Sequence, residues 1–159
     1  PIFSKKILAK SYYFTMLSHR GIKMHISTKT EYAVRALSEL AISSDEKPIS
    51  ITEICKRQKL PLKYVEQLFR KLKKHELVKS VHGAKGGYLL NKDVKDISLK
   101  NIMKAVDDNF SNTFCADNKN HISHCIGFPC GFHKLWDEIQ DHIEDYFESI
   151  KLEQIIAKL

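Results

Sequence analysis

The chain has 159 residues, of which 43% are hydrophobic and 28% charged, and its formal net charge is +7. This composition is typical of one globular domain, or a small head plus a helix, and argues against wholesale disorder. No apolar stretch approaches the roughly 20 residues of a transmembrane helix, so we expect no membrane partner, and four cysteines are too few for a disulfide scaffold.

The charge is unevenly distributed along the sequence. Residues 1–23 carry a net charge of +5, residues 24–100 carry +7 and residues 101–159 carry −5. A phosphate backbone would attract the first two segments and repel the third. Residues 1–23 lack a continuous apolar core and a small-residue cleavage site, which makes them a poor signal peptide. We expect a basic extension outside the folded core there, with an arm that touches nucleic acid as the alternative.

Two helices are predicted first. Residues 27–43 open with Ser-Thr as a cap and continue in an apolar helical period. Ser50 with Glu53 forms a capping-box pattern, which predicts a short helix over residues 51–58 and a turn at Lys59.

A more basic helix follows. Pro61 suits the first position of a helix, and the pattern extends to about His75. Its apolar positions are predicted to face inward: Leu62, Val65, Leu68, Phe69 and Leu72. The remaining positions are predicted to form a polar outer face: Lys63, Tyr64, Glu66, Gln67, Arg70, Lys71 and Lys74.

Two short β-like runs, at residues 77–81 and 88–91, flank a basic glycine-rich tip. Gly83, Gly86 and Gly87 supply the backbone freedom that such a hairpin tip needs.

The last part of the chain is predicted to hold two helices separated by a loop. Ser98 caps a helix over residues 99–108, and a polar loop follows over residues 109–129. Residues 131–157 are predicted to form one long helix. Its apolar positions step by three and four, as in a seam for a partner helix: Trp136, Ile139, Ile143, Tyr146 and Ile150.

This order of elements predicts a mainly α-helical fold, a winged helix-turn-helix with a two-stranded β wing and a long C-terminal dimerisation helix. The predicted organisation is the extension 1–23, a DNA-binding domain over 24–107, a cysteine-containing sensor loop over 108–130 and the dimerisation helix over 131–159. The helix beginning at Pro61 can lie in a major groove of double-stranded operator DNA, and the hairpin tip can reach the backbone or minor groove. A two-fold homodimer would read a pseudo-palindrome.

Other functions are weaker interpretations of the same residues. A Lys/Arg-rich helix is often only a solvated face. We find no nucleophilic triad, phosphate-binding loop or paired-carboxylate cleft, so we do not expect an enzyme.

A cysteine cluster lies in the polar loop. Cys115, Cys125 and Cys130 have the spacing C-x₉-C-x₄-C, and His133 follows the last cysteine by three residues. Cys55 stands apart on an apolar helix and is expected in the core. Without a secretion signal we expect a cytoplasmic protein whose thiols stay reduced.

Three functional roles for these cysteines remain open from their spacing alone. An iron–sulfur cluster is held by thiolates and accepts a histidine in place of one. Zinc accepts three cysteines and a histidine but usually shows closer cysteine pairs. A thiol switch needs two cysteines that meet in space. Unconnected loop cysteines are the fourth interpretation.

Three segments together resemble the Rrf family of winged-helix regulators, over nearly all of the chain from Met24 onward: MHISTKTEYAVRALSELA, ISITEICKRQKLPLKYVEQLFRKLKKHELVKSVHGAKGGYLL and ISLKNIMKAVD. The run YVEQLFRKL followed by SVHGAKGGY is the most specific part. The resemblance implies a homodimer with crossed C-terminal helices that binds operator DNA and carries a sensor loop.

The resemblance also assigns DNA-binding residues to three regions. On the recognition helix they are Lys63, Tyr64, Glu66, Gln67 and Arg70. On the first helix they are Ser27, Thr28, Lys29, Tyr32 and Arg35. Ser50, just before the second helix, and Lys85, in the wing tip, are also assigned. His82 occupies a wing position that is usually arginine. Because neutral histidine is a weaker minor-groove anchor than a fixed cation, this departure predicts altered sequence preference or added pH sensitivity.

The motif CGFHKLW is similar to that of the family's iron–sulfur cluster regulators, in which the histidine is the fourth ligand of a 2Fe–2S cluster. The implied ligands are Cys115, Cys125, Cys130 and His133. Glu31 matches an acidic ligand that other members donate from the second subunit, and it is the runner-up.

The nine-residue first gap is longer than is usual in the family, so the cluster type stays open and His121 and His124 remain alternatives. The sequence therefore predicts a regulator that senses iron–sulfur status, redox state or nitric oxide, with an apo form. The alternative is a winged-helix repressor with a zinc-bound or metal-free loop.

Overall fold

The computed structural model describes residues 26–43, 47–83, 85–108 and 131–159, with the backbone alone at residues 131–133. Its elements are, in chain order, α1 (Thr28–Ser43), α2 (Ile51–Gln58), α3 (Leu62–Lys74), β1 (Val78–Val81), β2 (Gly87–Leu90), α4 (Leu99–Ala105), α5 (Gly131–Ser149) and α6 (Leu152–Ile156). The predicted order of helix, short helix, basic helix and hairpin is confirmed, and with it the winged helix-turn-helix class.

Helix α1 lies at the centre of the core. It packs against α2, α3, α4, α6 and β2. Its buried positions repeat every three or four residues, as the sequence period predicts: Ala33, Ala36, Leu37 and Leu40. Burial of each leucine contributes about 1.5–3 kcal/mol. The positions of these five elements therefore depend on their packing against α1.

Helix α2 begins and ends where local chemistry predicts. The Ser50 hydroxyl accepts a hydrogen bond from the Glu53 amide at 3.2 Å. The Glu53 side chain does not complete a capping box, because its Oε1 instead accepts from Arg57 Nε at 2.7 Å. Lys59 adopts a left-handed conformation (φ 53°) that ends the helix and forms the predicted turn.

A polar network joins α1 to α2. Glu39 is buried, and its Oε1 accepts from Ser43 Oγ (2.7 Å) and Arg57 Nη1 (3.1 Å), while its Oε2 accepts from Gln58 Nε2 (2.7 Å). Burial alone would raise the pKa of the Glu39 carboxyl, but the hydrogen bonds outweigh it and hold that pKa below its usual value. The ionised carboxylate thus fixes the end of α2 against α1.

Helix α3 confirms most of the predicted inward face and corrects two details. Four of its apolar positions are buried: Val65, Leu68, Phe69 and Leu72. Leu62 was predicted to face inward but is 39% exposed. Pro61 is the N-cap (φ −72°, ψ 116°) rather than the first helical residue, so Leu62 lies in the first turn, before α3 reaches the core.

The wing is an antiparallel pair whose register runs from Val78↔Leu90 to Val81↔Gly87. Ile49, just before α2, forms an isolated antiparallel bridge with Tyr88 on the other side of β2. Its amide donates to the Tyr88 carbonyl at 3.1 Å, and the Tyr88 amide donates back at 2.8 Å. The wing is thereby attached to the helix-turn-helix by backbone hydrogen bonds.

The C-terminal region is not the single helix predicted over residues 131–157. Helix α5 ends at Ser149, and Lys151 is extended (φ −97°, ψ 152°). The Leu99 amide donates to the Ile150 carbonyl at 2.8 Å, and the Leu152 amide donates to the Ile97 carbonyl at 2.9 Å. These long-range backbone bonds favour an extended break over continuation of the helix.

Helix α4 is shorter than the predicted 99–108 and ends at Ala105. Its residues Leu99 and Met103 pack with Phe147 of α5 in a small second core. Ile143 and Ile150, predicted to belong to a seam for a partner helix, are partly buried against this cluster. Part of the predicted dimerisation seam therefore packs against α4 of the same chain.

Candidate nucleic-acid interface

The outer face of α3 presents polar and cationic side chains to solvent. Lys63, Gln67 and Arg70 are exposed, whereas Tyr64 and Glu66 are half-buried. In the part of the chain that the structure describes, neither Lys63 nor Arg70 takes part in an ion pair. Two cations and an amide on one helix can donate hydrogen bonds to phosphate oxygens and to base edges.

Tyr64 also has a structural role. Its ring meets the ring of Tyr32 on α1 edge to face, with centroids 5.7 Å apart and planes at 90°. Both rings pack against the main core. Such pairs contribute about 0.5–1.5 kcal/mol beyond burial, so this pair helps to fix α3 on α1.

The wing tip carries the two predicted contact residues in exposed positions. His82 and Lys85 are both exposed, and the Gly86 amide donates to the Gly83 carbonyl at 2.9 Å to close the tip. Near the tip end of β1, Lys73 Nζ donates to Ser80 Oγ at 2.7 Å, which joins β1 to α3. The tip is therefore presented on a strand pair that is attached to α3.

Several predicted contact residues have partners within the chain. Ser50 is exposed, but its hydroxyl caps α2. Arg35 Nη2 donates to the carbonyl of Gln58 at the end of α2, and its Nη1 lies 3.6 Å from Glu31 Oε1. Arg35 of α1 thus stabilises the turn between α2 and α3 through the Gln58 carbonyl.

The start of α1 is held by a residue that sequence reasoning missed. Ser27 Oγ and Thr30 Oγ1 both donate to Oδ2 of Asp108, each at 2.5 Å. Thr28 is exposed beside them and Lys29 is half-buried. The sequence offered no signal for this contact beyond the two hydroxyl residues at a helix start, because Asp108 lies about 80 residues away.

Lys71, predicted on the polar outer face, is half-buried and paired. Its Nζ lies 2.8 Å from Oδ2 of Asp107. The Lys71 hydrogen bond and charge hold the pKa of Asp107 below its usual value. This lysine is consequently less available to a phosphate than Lys63 or Arg70.

The predicted metal ligands are only partly covered. Cys115, Cys125 and Cys130 lie outside the described residues, as do His121 and His124. The backbone of His133 lies in the first turn of α5. Glu31 is exposed in the first turn of α1.

Among the residues that the structure describes, no three histidine, cysteine, aspartate or glutamate side chains are grouped so that they could hold a metal ion. Cys55 is buried as predicted, and burial raises the pKa of its thiol. None of the described helices is long and apolar enough to cross a membrane.

Comparison with known proteins identifies relatives of this arrangement. Residues 26–158 match the family model described as Rrf2, iron-dependent transcriptional regulator. The chain is 38% identical over 134 residues to the HTH-type transcriptional regulator IscR of Photorhabdus laumondii, which covers 84% of this chain and 79% of that protein. It is 35% identical over 134 residues to the IscR of Escherichia coli, with 84% and 80% covered.

Solved structures agree with these sequence relatives. The structure of T. potens IscR has a TM-score of 0.67 at 31% identity, over 86% of this chain and 89% of that one. The structure of CymR, the global cysteine regulator of B. subtilis, has a TM-score of 0.68 at 28% identity, over 86% and 98%. These relatives are named regulators and not enzymes, in agreement with the expectation from sequence.

Proposed function

This chain belongs to the Rrf2 family of transcriptional regulators, and we propose that it acts as a homodimer on operator DNA and senses iron–sulfur status, redox state or nitric oxide through an iron–sulfur cluster. The observation that carries the proposal is one chain with two sets of residues. One set is the exposed cationic face of α3, and the other is the three cysteines at sequence positions 115, 125 and 130 together with His133 in the first turn of α5.

The DNA contacts follow from exposure and position. We propose that α3 enters the major groove, with Lys63, Gln67 and Arg70 facing the duplex and Tyr64 and Glu66 at its edge. The wing tip then lies over the neighbouring phosphates or the minor groove, with His82 and Lys85 as its contacts.

The first helix supplies the remaining contacts. We propose that Thr28 and Lys29 at the start of α1, and Ser50 at the start of α2, contact the DNA backbone, since helix starts favour anions. Ser27, Tyr32 and Arg35 act chiefly by holding these helices, because each already has a partner inside the chain.

The homodimer is supported by the exposed apolar residues of α5. Leu135, Ile139 and Tyr146 are 52%, 36% and 64% exposed, and their spacing is helical. Exposed apolar side chains at such spacing are typical of helix–helix interfaces. The −5 charge of residues 101–159 favours an orientation in which α5 faces away from DNA.

The donor set fits a 2Fe–2S cluster. Three thiolates and one imidazole are ligands that such clusters use, and the nine-residue gap between Cys115 and Cys125 is longer than the roughly two to four residues common between zinc-binding cysteines. We propose Cys115, Cys125, Cys130 and His133 as ligands. Glu31 is the runner-up, because its exposed carboxylate has only a 3.6 Å contact with Arg35. A bound cluster supplies one-electron redox chemistry, and we propose a cytoplasmic protein with cluster-loaded and apo forms of different DNA affinity.

Anaerobic purification tests the cluster. We expect a brown protein with visible absorbance and bound iron and sulfide. A colourless protein loaded with zinc would instead support the alternative of a zinc-bound or metal-free repressor.

His133→Ala tests the fourth ligand. We expect this variant to lose iron and visible absorbance, because one of the four ligands is removed. His142→Ala, which removes an exposed histidine farther along α5, is the matched control and should keep the parent spectrum. An unchanged spectrum in His133→Ala would transfer the role to Glu31 or to a loop histidine, which Glu31→Ala then tests.

A further inference from the structure

The end of α4 has a backbone conformation that a glycine would favour and an aspartate occupies. Asp107 is left-handed (φ 54°), its amide donates to the Lys104 carbonyl at 3.3 Å, and the Asp108 amide donates to the Met103 carbonyl at 3.0 Å. This is the hydrogen-bond pattern of a Schellman motif, in which glycine is usual at the left-handed position. The two aspartates, the aspartate pair below, are thereby fixed by their own backbone.

Each member of the aspartate pair contacts a different DNA-reading helix. Asp107 accepts from Lys71 near the end of α3 at 2.8 Å. Asp108 accepts from Ser27 and Thr30 at the start of α1. Thr30 is fully buried, so Asp108 is the acceptor that satisfies its hydroxyl away from water.

The electrostatics reinforce both contacts. Burial alone would raise the pKa of the Asp108 carboxyl, but the hydroxyls of Ser27 and Thr30 and the charge of Lys29 outweigh it and keep the carboxyl ionised. The charges of Lys29 and His75 also lower the pKa of the Asp107 carboxyl. Asp107 therefore interacts with charges on both α1 and α3, and Asp108 interacts with a charge on α1.

The aspartate pair is also adjacent to the sensing chemistry in the sequence. Residue 109 opens the segment that contains Cys115, Cys125 and Cys130. We propose that the aspartate pair is a positioning element through which the state of this cysteine segment acts on the DNA-contacting helices α1 and α3, an inference that rests on the proposed function.

The proposal predicts two linked effects of displacing the pair. Loss of the Asp108 contacts frees the start of α1, where Thr28 and Lys29 lie. Loss of the Asp107 contact frees the Lys71 ammonium and gives α3 a further cation that can meet a phosphate. Both effects change operator affinity although neither aspartate is itself a proposed DNA contact.

The test compares operator affinity of the cluster-loaded and cluster-free forms at one salt concentration. For Asp108→Asn we expect the ratio of the two affinities to move about 2- to 30-fold toward one, the range reported for residues that couple two sites. Thr30→Val is the second variant, because it removes one donor at a buried position that cannot touch DNA. Asp96→Asn, at an exposed aspartate before α4, is the matched control and should keep the parent ratio.

Asp107→Gly adds a readout that does not depend on the cluster. Glycine preserves the left-handed turn and removes the carboxylate, so the cluster-free protein should bind operator with a salt dependence steeper by about one phosphate contact.

The outcomes distinguish failure of the aspartate pair as the link from failure of the proposed cluster sensing. Parent-like ratios in both Asp108→Asn and Thr30→Val, with parent-like visible absorbance, would overturn the aspartate pair as the link. An unchanged salt slope in Asp107→Gly would overturn the role given to Lys71. A parent protein without a cluster would refute the proposed function and the link together, and its spectrum identifies that case.

Discussion

Gly87 at the start of β2 gives a direct test of how the wing is attached. A Cβ on this residue would lie 2.5 Å from both the carbonyl carbon and the oxygen of Ile49, and 2.9 Å from its nitrogen. These are backbone atoms that cannot rotate away. Gly87→Ala therefore has to push β2 away from Ile49, which breaks the two hydrogen bonds between Ile49 and Tyr88.

The size of the effect follows from these contacts. Overpacking costs about 1–3 kcal/mol, and each lost backbone hydrogen bond costs about 1 kcal/mol. Because one displacement relieves the clash and breaks the bonds, we expect Gly87→Ala to lower the free energy of unfolding by about 3 kcal/mol. For a chain of this length that corresponds to a melting temperature lower by about 6–12 °C.

Urea unfolding measures this loss as a lower midpoint at an unchanged m-value. Gly83→Ala separates crowding from strain, because Gly83 has φ +122° but no atom within 4 Å of an added Cβ; its strain should cost about 1–3 kcal/mol. Lys85→Ala at the exposed tip should change stability by less than about 0.5 kcal/mol. A Gly87→Ala protein as stable as the Lys85→Ala control would refute the proposed attachment of the wing.

Two further predictions concern charge. The lowered pKa of Glu39 means that its ionised form stabilises the fold above the unfolded pKa, and that this contribution is lost as pH falls through the folded value. The free energy of unfolding of Glu39→Gln, measured with urea, should consequently fall less steeply with decreasing pH than that of the parent below about pH 4.3. A parent-like pH dependence would contradict the role given to the Glu39 network. Lys63→Ala and Arg70→Ala should each weaken operator binding and reduce the salt slope by about one. An unchanged slope would remove these side chains from the phosphate contacts, and Lys56→Ala on α2 is the exposed control.

Local chemistry explains what the sequence predicts well. The bounds of α2 are confirmed because a Ser50 cap and a left-handed Lys59 determine them within ten residues. The buried face of α3 is confirmed at four positions because the helical period is strong there. The same chemistry predicts a hairpin from its glycines, and the wing follows.

Long-range contacts explain what local patterns miss. The break between α5 and α6 depends on backbone bonds from residues 97–99 to residues 150–152, about fifty positions apart. The exposure of Leu62 is a local exception, because Pro61 caps α3 one position later than predicted. Asp108 and Ser27 meet only because α4 packs beside α1. The partners of Arg35 and Lys71 likewise come from other elements, so local periodicity gave no sign that these cations are engaged.

We propose that an iron–sulfur cluster bound by this chain changes the affinity with which α3 binds operator DNA. The most direct measurement is operator affinity of one anaerobic preparation, determined before and after removal of its iron and sulfide. We expect the two affinities to differ by about fivefold or more, in either direction. Equal affinities for the two forms, with the visible spectrum present before and absent after, would contradict this proposal.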